Sequence, residues 1–272
     1  MSSLRFLGTG GARFVVARQI RASGGLWFRF ESGGGRATQI HVDPGPGALV
    51  RALSSLPPCV PTELDAIVLS HKHLDHSCDV NVMIEAMTVG GFKRRGTLFA
   101  PRDAFEGEMV VLPYAARFAL QRQVLAERAG PFFVNDVEIA TSIAHRHSGV
   151  ETYGIHFRHG GTAVSYLPCT RFFPELIDDY AARRPDVLVM NILRYRDEMN
   201  VDHLTFDDAR ALIAGIRPKV AIMTHFGTKM LERDPDRLAR ELEDEFGIRA
   251  IGARDGMTVE FETEIAAATS LA

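Results

Sequence analysis

Three imidazoles and a carboxylate fall within six consecutive residues, His71-Lys72-His73-Leu74-Asp75-His76. Groups so crowded cannot be packed among apolar side chains without partners, because a buried polar atom left unpaired costs several kcal/mol, on the order of 2–7. They must share a ligand or face water. Imidazole nitrogens and carboxylate oxygens are the donors by which proteins hold zinc, iron and manganese. The flanks favour the metal. Asp65-Ala66-Ile67-Val68-Leu69-Ser70 is a β-rich apolar run that fits a buried strand. Asp79 then stands as an N-cap ahead of a helix through Met87 that stops at Gly90-Gly91. Strand, His-rich loop and helix place the donors at the end of a sheet. The competing readings are a solvated surface His cluster and a purely structural zinc knuckle.

The chain has 272 residues, enough for one large domain or two small ones with a sizeable core. A hydrophobic content of 46% and a charged content of 24% are those of a soluble globular protein. The net charge of -3 offers no general argument for nucleic acid. Three scattered cysteines, Cys59, Cys78 and Cys169, are too few for a disulfide framework, so a reducing cytoplasm is expected. Leu4-Arg5-Phe6-Leu7 reads as a strand with no charged-then-apolar leader ahead of it, and no apolar run approaches membrane-spanning length. Neither export nor a membrane is therefore expected.

No linker or repeat splits the sequence, and the expected organisation is one domain over 1–272. Strands are expected at 4–7, 26–30, 38–43 and 65–70, then near 132–134, 137–143, 152–158 and 162–167. The segment 102–129, rich in Ala, Leu, Arg and Gln, reads as helical pieces broken at Pro113, either a lid or a homodimer contact. The last third alternates: helix 173–182, strand 187–191, helix 205–215, strand 219–224, helix 235–246, strands 248–252 and 257–262. Such a pattern points to a mixed α/β fold, two sheets with helices on their outer faces. His156 and His159 flank the Gly160-Gly161 hairpin and are expected to face solvent.

One loop cannot complete a two-metal site, and further donors should sit at strand ends, where loops converge on an α/β site. His147 follows the strand 137–143, Cys169 follows 162–167, and His225 ends 219–224. Asp43 ends another strand and enters Pro44-Gly45-Pro46-Gly47. In this order the chain resembles the metallo-β-lactamase-fold hydrolase superfamily. The Phe6-Leu7-Gly8-Thr9-Gly10-Gly11 opening, Thr224-His225-Phe226-Gly227 and Ala253-Arg254-Asp255-Gly256-Met257 look closest to its phosphodiesterase branch, the tRNA 3′-end nucleases and cyclic-phosphate diesterases.

The resemblance implies a four-layer αββα sandwich and a dinuclear centre of two divalent ions, zinc first, with iron or manganese as alternatives. His71, His73 and His147 would hold one ion; Asp75, His76 and His225 the other. Asp43 would orient the loop without touching metal. His147 is preferred to His145 because Ser148 and Tyr153-Gly154 follow it, as in the family; His145 is left as a strand-end residue or a substrate contact. At position 169 the family's phosphodiesterases carry an Asp that bridges the ions, whereas this chain has Cys169-Thr170. A thiolate binds zinc well but lacks the second oxygen of a carboxylate. Lactam-hydrolysing members place a Cys there, so Cys169 is expected near the metals, biased toward the second.

Asp75 is expected to orient the attacking water as well as ligate, and His203, in a loop before a helix capped by Thr205, to protonate the leaving group. Arg171, Arg194 and Arg196 are candidates for an anionic substrate. The opening loop around Gly10-Gly11-Ala12-Arg13 could lie over the site. The expected function is a metal-dependent phosphodiesterase acting on a small phosphoester. RNA is less favoured, for want of a long basic Gly/Pro-tipped insertion. An acyl hydrolase (lactonase, thioesterase or β-lactamase-like) and a non-catalytic member impaired by Cys169 are the alternatives.

Overall fold

The structure, a computed structural model, describes residues 1–197 and 200–270. One sheet carries β1 (Ser3–Phe6), β2 (Leu26–Phe30), β3 (Thr38–Val42), β4 (Ala66–Val68), β5 (Arg95–Pro101) and β6 (Ala119–Leu125), with β15 (Thr258–Glu260) beside β1. The other carries β7 (Phe132–Val134), β8 (Val137–Ala144), β9 (Tyr153–His159), β10 (Thr162–Leu167), β11 (Val187–Arg194), β13 (Val220–Thr224) and β14 (Arg249–Gly252), with short β12 (Leu204–Thr205) on β11. Both are mixed: β3 through β6 run parallel, as do β10, β11, β13 and β14, with β12 parallel to β11, while the other pairs are antiparallel.

Alternation along single strands builds the layers. In β11, Val187 and Val189 face an inter-sheet core with Phe28, Phe99 and Phe157, while Leu188 and Met190 face the outer helices. In β4, Ala66 and Val68 point inward and Ile67 outward. Strands buried on both faces therefore read as continuous apolar runs. Over the first sheet lie α2 (Ala48–Ser54) and α4 (Val80–Met87), whose Ala52, Met83 and Met87 cover Ile67 and Leu98. Over the second lie α7 (Glu175–Ala182), α8 (Phe206–Ile216) and α10 (Pro235–Phe246), whose Tyr180, Leu212 and Leu242 cover Leu188 and Met190. The expected αββα sandwich is what forms.

Several local expectations are corrected. The segment 102–129 contains only the one-turn α5 (Arg102–Phe105) and α6 (Pro113–Ala116), and Ala119–Leu125 is an edge strand. Its Leu, Gln and Arg favour helix, but parallel pairing to β5 overrides that preference. Pro113 opens α6 rather than breaking a helix. Asp79 precedes α4 without capping it; its carboxylate accepts the Leu49 amide and ties α4 to α2. Only three residues of 257–262 are strand, after which α11 (Phe261–Thr269) begins. His156 and His159 do not face solvent: His156 is buried beneath Tyr180, and His159 packs on Phe30 and pairs with Asp136. Thr205 caps α8 as expected, in a reciprocal capping box with Asp208. No helix among the described residues is long and apolar enough to cross a membrane.

Candidate metal centre

The parallel strands deliver their carboxyl ends to one rim of the sandwich. There β3 releases Asp43, β4 the loop of His71–His76, β10 Cys169, and β13 His225. β8, antiparallel to β9, contributes His147 beyond its own end. Asp43 and His225 both adopt left-handed backbones, with φ of 54° and 61°. For residues with a Cβ that conformation costs about 1–3 kcal/mol and persists only where surroundings impose it. At His225 the opening loop imposes it: the Phe226 amide donates to Thr9 O at 2.7 Å, and the Gly11 amide donates to Phe226 O at 3.0 Å. A Cβ on Gly11 would stand 2.4 Å from the His225 ring, so only glycine fits. The same loop sends the Ala12 amide to Asp75 Oδ2 at 3.1 Å, and so does lie against the site.

The donors fall into overlapping triads, each with ligand atoms within 4.8 Å of one another: His71, His73 and His147; Asp75, His76 and His225; His71, His76 and Cys169. His147, Cys169 and His203 form a fourth. Cys169 Sγ lies 3.3 Å from His225 Nε2 and 3.5 Å from His76 Nε2. The sulfur thus sits where the half-sites meet. His203 meets His147 edge to face, ring centroids 4.8 Å apart, and its membership of a donor triad was not foreseen as a ligand role.

Hydrogen bonds decide which nitrogen each imidazole presents. Ser70 Oγ donates to Asp43 Oδ2 at 2.7 Å, so it can only accept from His71 Nδ1 at 3.0 Å. His71 Nε2 is left as a bare lone pair, buried and without a partner. His76 Nδ1 donates to Asp43 at 2.9 Å, turning Nε2 toward Asp75, Cys169 and His225. His147 Nδ1 donates to the Asp202 carbonyl at 2.7 Å, turning Nε2 to His73. Imidazoles pinned through one nitrogen, with the other aimed inward, are how proteins prepare metal ligands. The unpartnered His71 lone pair and the mixed N, O and S donors fit divalent ions of the zinc kind.

Electrostatics separates the members. Burial, with neighbouring imidazoles, holds His71 and His225 well below the ordinary histidine range. Burial takes His147 down to about 4 and His203 to about 3. His76 goes the other way: burial alone would lower it, but Asp75, Cys169 and Asp43 together raise it well above. Asp75 is held below the usual carboxylate range because His76 and His225 outweigh its burial. Burial raises the Cys169 thiol, against the pull of His76.

The residues expected to contact substrate have partners of their own or lie apart from the donors. Arg171 spends its guanidinium on Asp202 Oδ1, Asn200 Oδ1 and Asn200 O. It anchors the loop that carries His203 and the carbonyl that pins His147. Arg194 ends β11 opposite Thr205, half-buried, and among the described residues no hydrogen bond or ion pair joins it to the cluster. Arg196 lies over the Tyr195 ring. His145 turns away from the donors to Tyr180 at 3.1 Å, its Nδ1 3.3 Å from the Cys169 carbonyl. Supporting residues missed in the sequence are Ser70, Tyr166, Asn191 and Asp202. Asn191 was visible as a lone amide inside the apolar run Val187-Leu188-Val189-Met190-Asn191-Ile192-Leu193. A tyrosine or serine in a strand carries no such mark.

The family model of a beta-lactamase superfamily domain matches residues 38–226. The uncharacterized protein MJ1374 of Methanocaldococcus jannaschii is 35% identical over 265 residues, which cover 94% of this chain and 93% of that one. The metallo-beta-lactamase fold protein YhfI from Bacillus subtilis superposes with a TM-score of 0.71 at 19% identity, over 95% of this chain and 98% of its own. A diphosphatase from the PhnP family superposes with a TM-score of 0.65 at 18% identity, over 95% and 96%. With the family model spanning well over half its length, the chain belongs to the beta-lactamase superfamily and has its metallo-β-lactamase fold.

Proposed function

We propose that this protein is a metal-dependent hydrolase that cleaves a small phosphodiester. The observation that carries the reading is the pair of triads joined at Cys169, with the His71 lone pair buried and unpartnered. His71, His73 and His147 would hold one divalent ion, and Asp75, His76 and His225 a second, with Cys169 between them. When bound, such ions supply Lewis acidity and make water a nucleophile near neutral pH.

The chain's own groups supply the rest. Asp75 Oδ2, 3.6 Å from His225 Nε2 and tethered by the Ala12 amide, is oriented to position a water through its second oxygen. His203 stands beside His147, on the loop anchored by Arg171, and serves as proton donor to the leaving oxygen. Burial keeps its ring neutral in the free protein, at about 3. An anionic phosphoester beside it supplies the missing counter-charge and favours the imidazolium. The fold likeness to a diphosphatase supports phosphorus over carbon as the electrophile. Cys169 supports a second reading, an acyl hydrolase, since lactam-hydrolysing relatives place a Cys there.

Purified protein should hold up to two equivalents of transition metal. It should hydrolyse bis(p-nitrophenyl) phosphate faster than p-nitrophenyl acetate, and His203→Ala should lower turnover by roughly 10²–10⁴ with metal content unchanged. Absence of stoichiometric metal before and after reconstitution would sink the enzymatic reading. Preference for the acetate would transfer it to the acyl hydrolases.

A further inference from the structure

Asn191 interrupts the apolar run of β11 and is 2% exposed. It shares the parity of Val187 and Val189, which face between the sheets, and so opens onto the rim. There it lines a cavity with Asp43, Asp75, His76, Tyr166 and His225. Its Nδ2 lies 3.1 Å from Tyr166 Oη and 3.5 Å from Cys169 Sγ. The orientation of the amide is dictated from outside. Tyr166 must donate its own proton to Asp43 Oδ2, at 3.0 Å, so its oxygen can only accept from Asn191. The NH₂ end therefore faces Tyr166, and its second proton falls to the sulfur.

Five residues now close a ring: Asn191 to Tyr166, Tyr166 to Asp43, His76 Nδ1 to the same Asp43 oxygen, His76 Nε2 beside Cys169 Sγ, and Asn191 back to that sulfur. Within the ring Asp43 accepts from Tyr166 and His76, with Ser70 Oγ as a further donor to the same oxygen, and the sulfur accepts from Asn191. We propose that Asn191 is a positioning residue which holds the Cys169 sulfur, as a thiolate, on the Asp75/His76/His225 side of the centre. The proposal rests on the reading of the cluster as a metal centre. With a divalent ion bound, the thiol would give up its proton to solvent and the sulfur would offer one lone pair to the ion, the Asn191 N–H being held on another. A donated hydrogen bond stabilises the charge on the sulfur and fixes where it lies, so its loss would raise the energy of the sulfur lone pairs and leave the ligand less well placed.

The test is cobalt(II) loading of the whole protein, read by near-ultraviolet sulfur-to-cobalt charge transfer and by competition with a chromophoric chelator. The parent should show the band and Cys169→Ser should lose it. Asn191→Leu should move the band to lower energy and weaken cobalt binding by roughly 10–100-fold. If Asn191→Leu does not fold, Asn191→Asp keeps the shape, replaces donors by acceptors, and should shift the band in the same direction. An unmoved band in the folded Asn191 variant overturns the positioning role. Cobalt bound without a thiolate band overturns it too, while sparing the metal-centre reading; no cobalt bound removes both.

Discussion

The two half-sites share one loop and yet are built on opposite electrostatic plans. His71, His73 and His147 are imidazoles alone, held through neutral acceptors, the Ser70 hydroxyl and the Asp202 carbonyl. Asp75, His76 and His225 include a carboxylate, and His76 leans on a second carboxylate, Asp43, that is itself 2% exposed. Without metal, the second half-site compensates its own charge, with His76 set between Asp75 and Asp43. The first has no such partner and keeps a bare nitrogen at His71. The difference teaches that the second triad balances its own charge within the protein, whereas the first leaves a buried donor atom that only a ligand would satisfy.

The largest expected effect breaks the comparison at its strongest point. His76→Gln and His73→Gln should each cost about one equivalent of metal and most activity. They should differ in the chelated protein. His76→Gln takes the cationic partner from the buried Asp43 carboxylate, which keeps its neutral Ser70 and Tyr166 donors, and removing one partner of a buried pair typically costs about 3–5 kcal/mol. His73 is only half-buried, with His147 as its hydrogen-bond partner, so its loss should cost about 1 kcal/mol. Urea denaturation in the presence of chelator measures both; equal losses would erase the asymmetry.

A middle-sized effect isolates the first half-site. Arg171 is nowhere near a ligand role, yet its fork fixes the Asn200–Asp202 turn, whose carbonyl pins His147 and whose carboxylate accepts the Ser148 amide at 2.8 Å. Arg171→Leu should weaken the first metal by roughly 10–100-fold and lower kcat, with the second metal retained. Arg171→Lys should not rescue it, since one ammonium cannot satisfy three acceptors in a plane. Stepwise competition with a chromophoric chelator separates the two ions; loss of both together would mean that the turn supports the whole rim.

The halves were also unequally legible in the sequence. Four donors of the centre lie within His71–His76, and a cluster so dense announces itself without a structure. Asp43, His147, Cys169 and His225 could be ordered by their places at strand ends, because short apolar runs bounded by turn residues locate buried strands well. What could not be read is direction. Arg171 looked like a free cation for substrate until the turn at 200–202 was seen to consume it. His145 and His147 flank one arginine, and only the fold turns the first to Tyr180 and the second to His73. The fold itself was clear where strands are buried on both faces. It was obscured at Ala119–Leu125, an edge strand that keeps Gln121, Arg122 and Gln123 because one side of it is open to solvent.

The smallest effect comes from titration, and its sign differs between the halves. Burial lowers His147 from the ordinary 6.5 to about 4, so between those values the unfolded chain binds a proton that the native protein refuses. Stability then rises with pH, and is lost as pH falls from about 6.5 toward 4, by at most about 1.4 kcal/mol per pH unit for one such group. His76 is raised well above 6.5, so its contribution is complete below that value and is lost as pH climbs through its folded pKa. In chelated protein, His147→Gln should therefore flatten the acid side of the stability profile, and His76→Gln the alkaline side. Denaturation midpoints from pH 5 to 9 would show it. Should both substitutions flatten the same side, the two imidazoles share one protonation state, and the contrast between a neutral and a charge-compensated half-site would be lost.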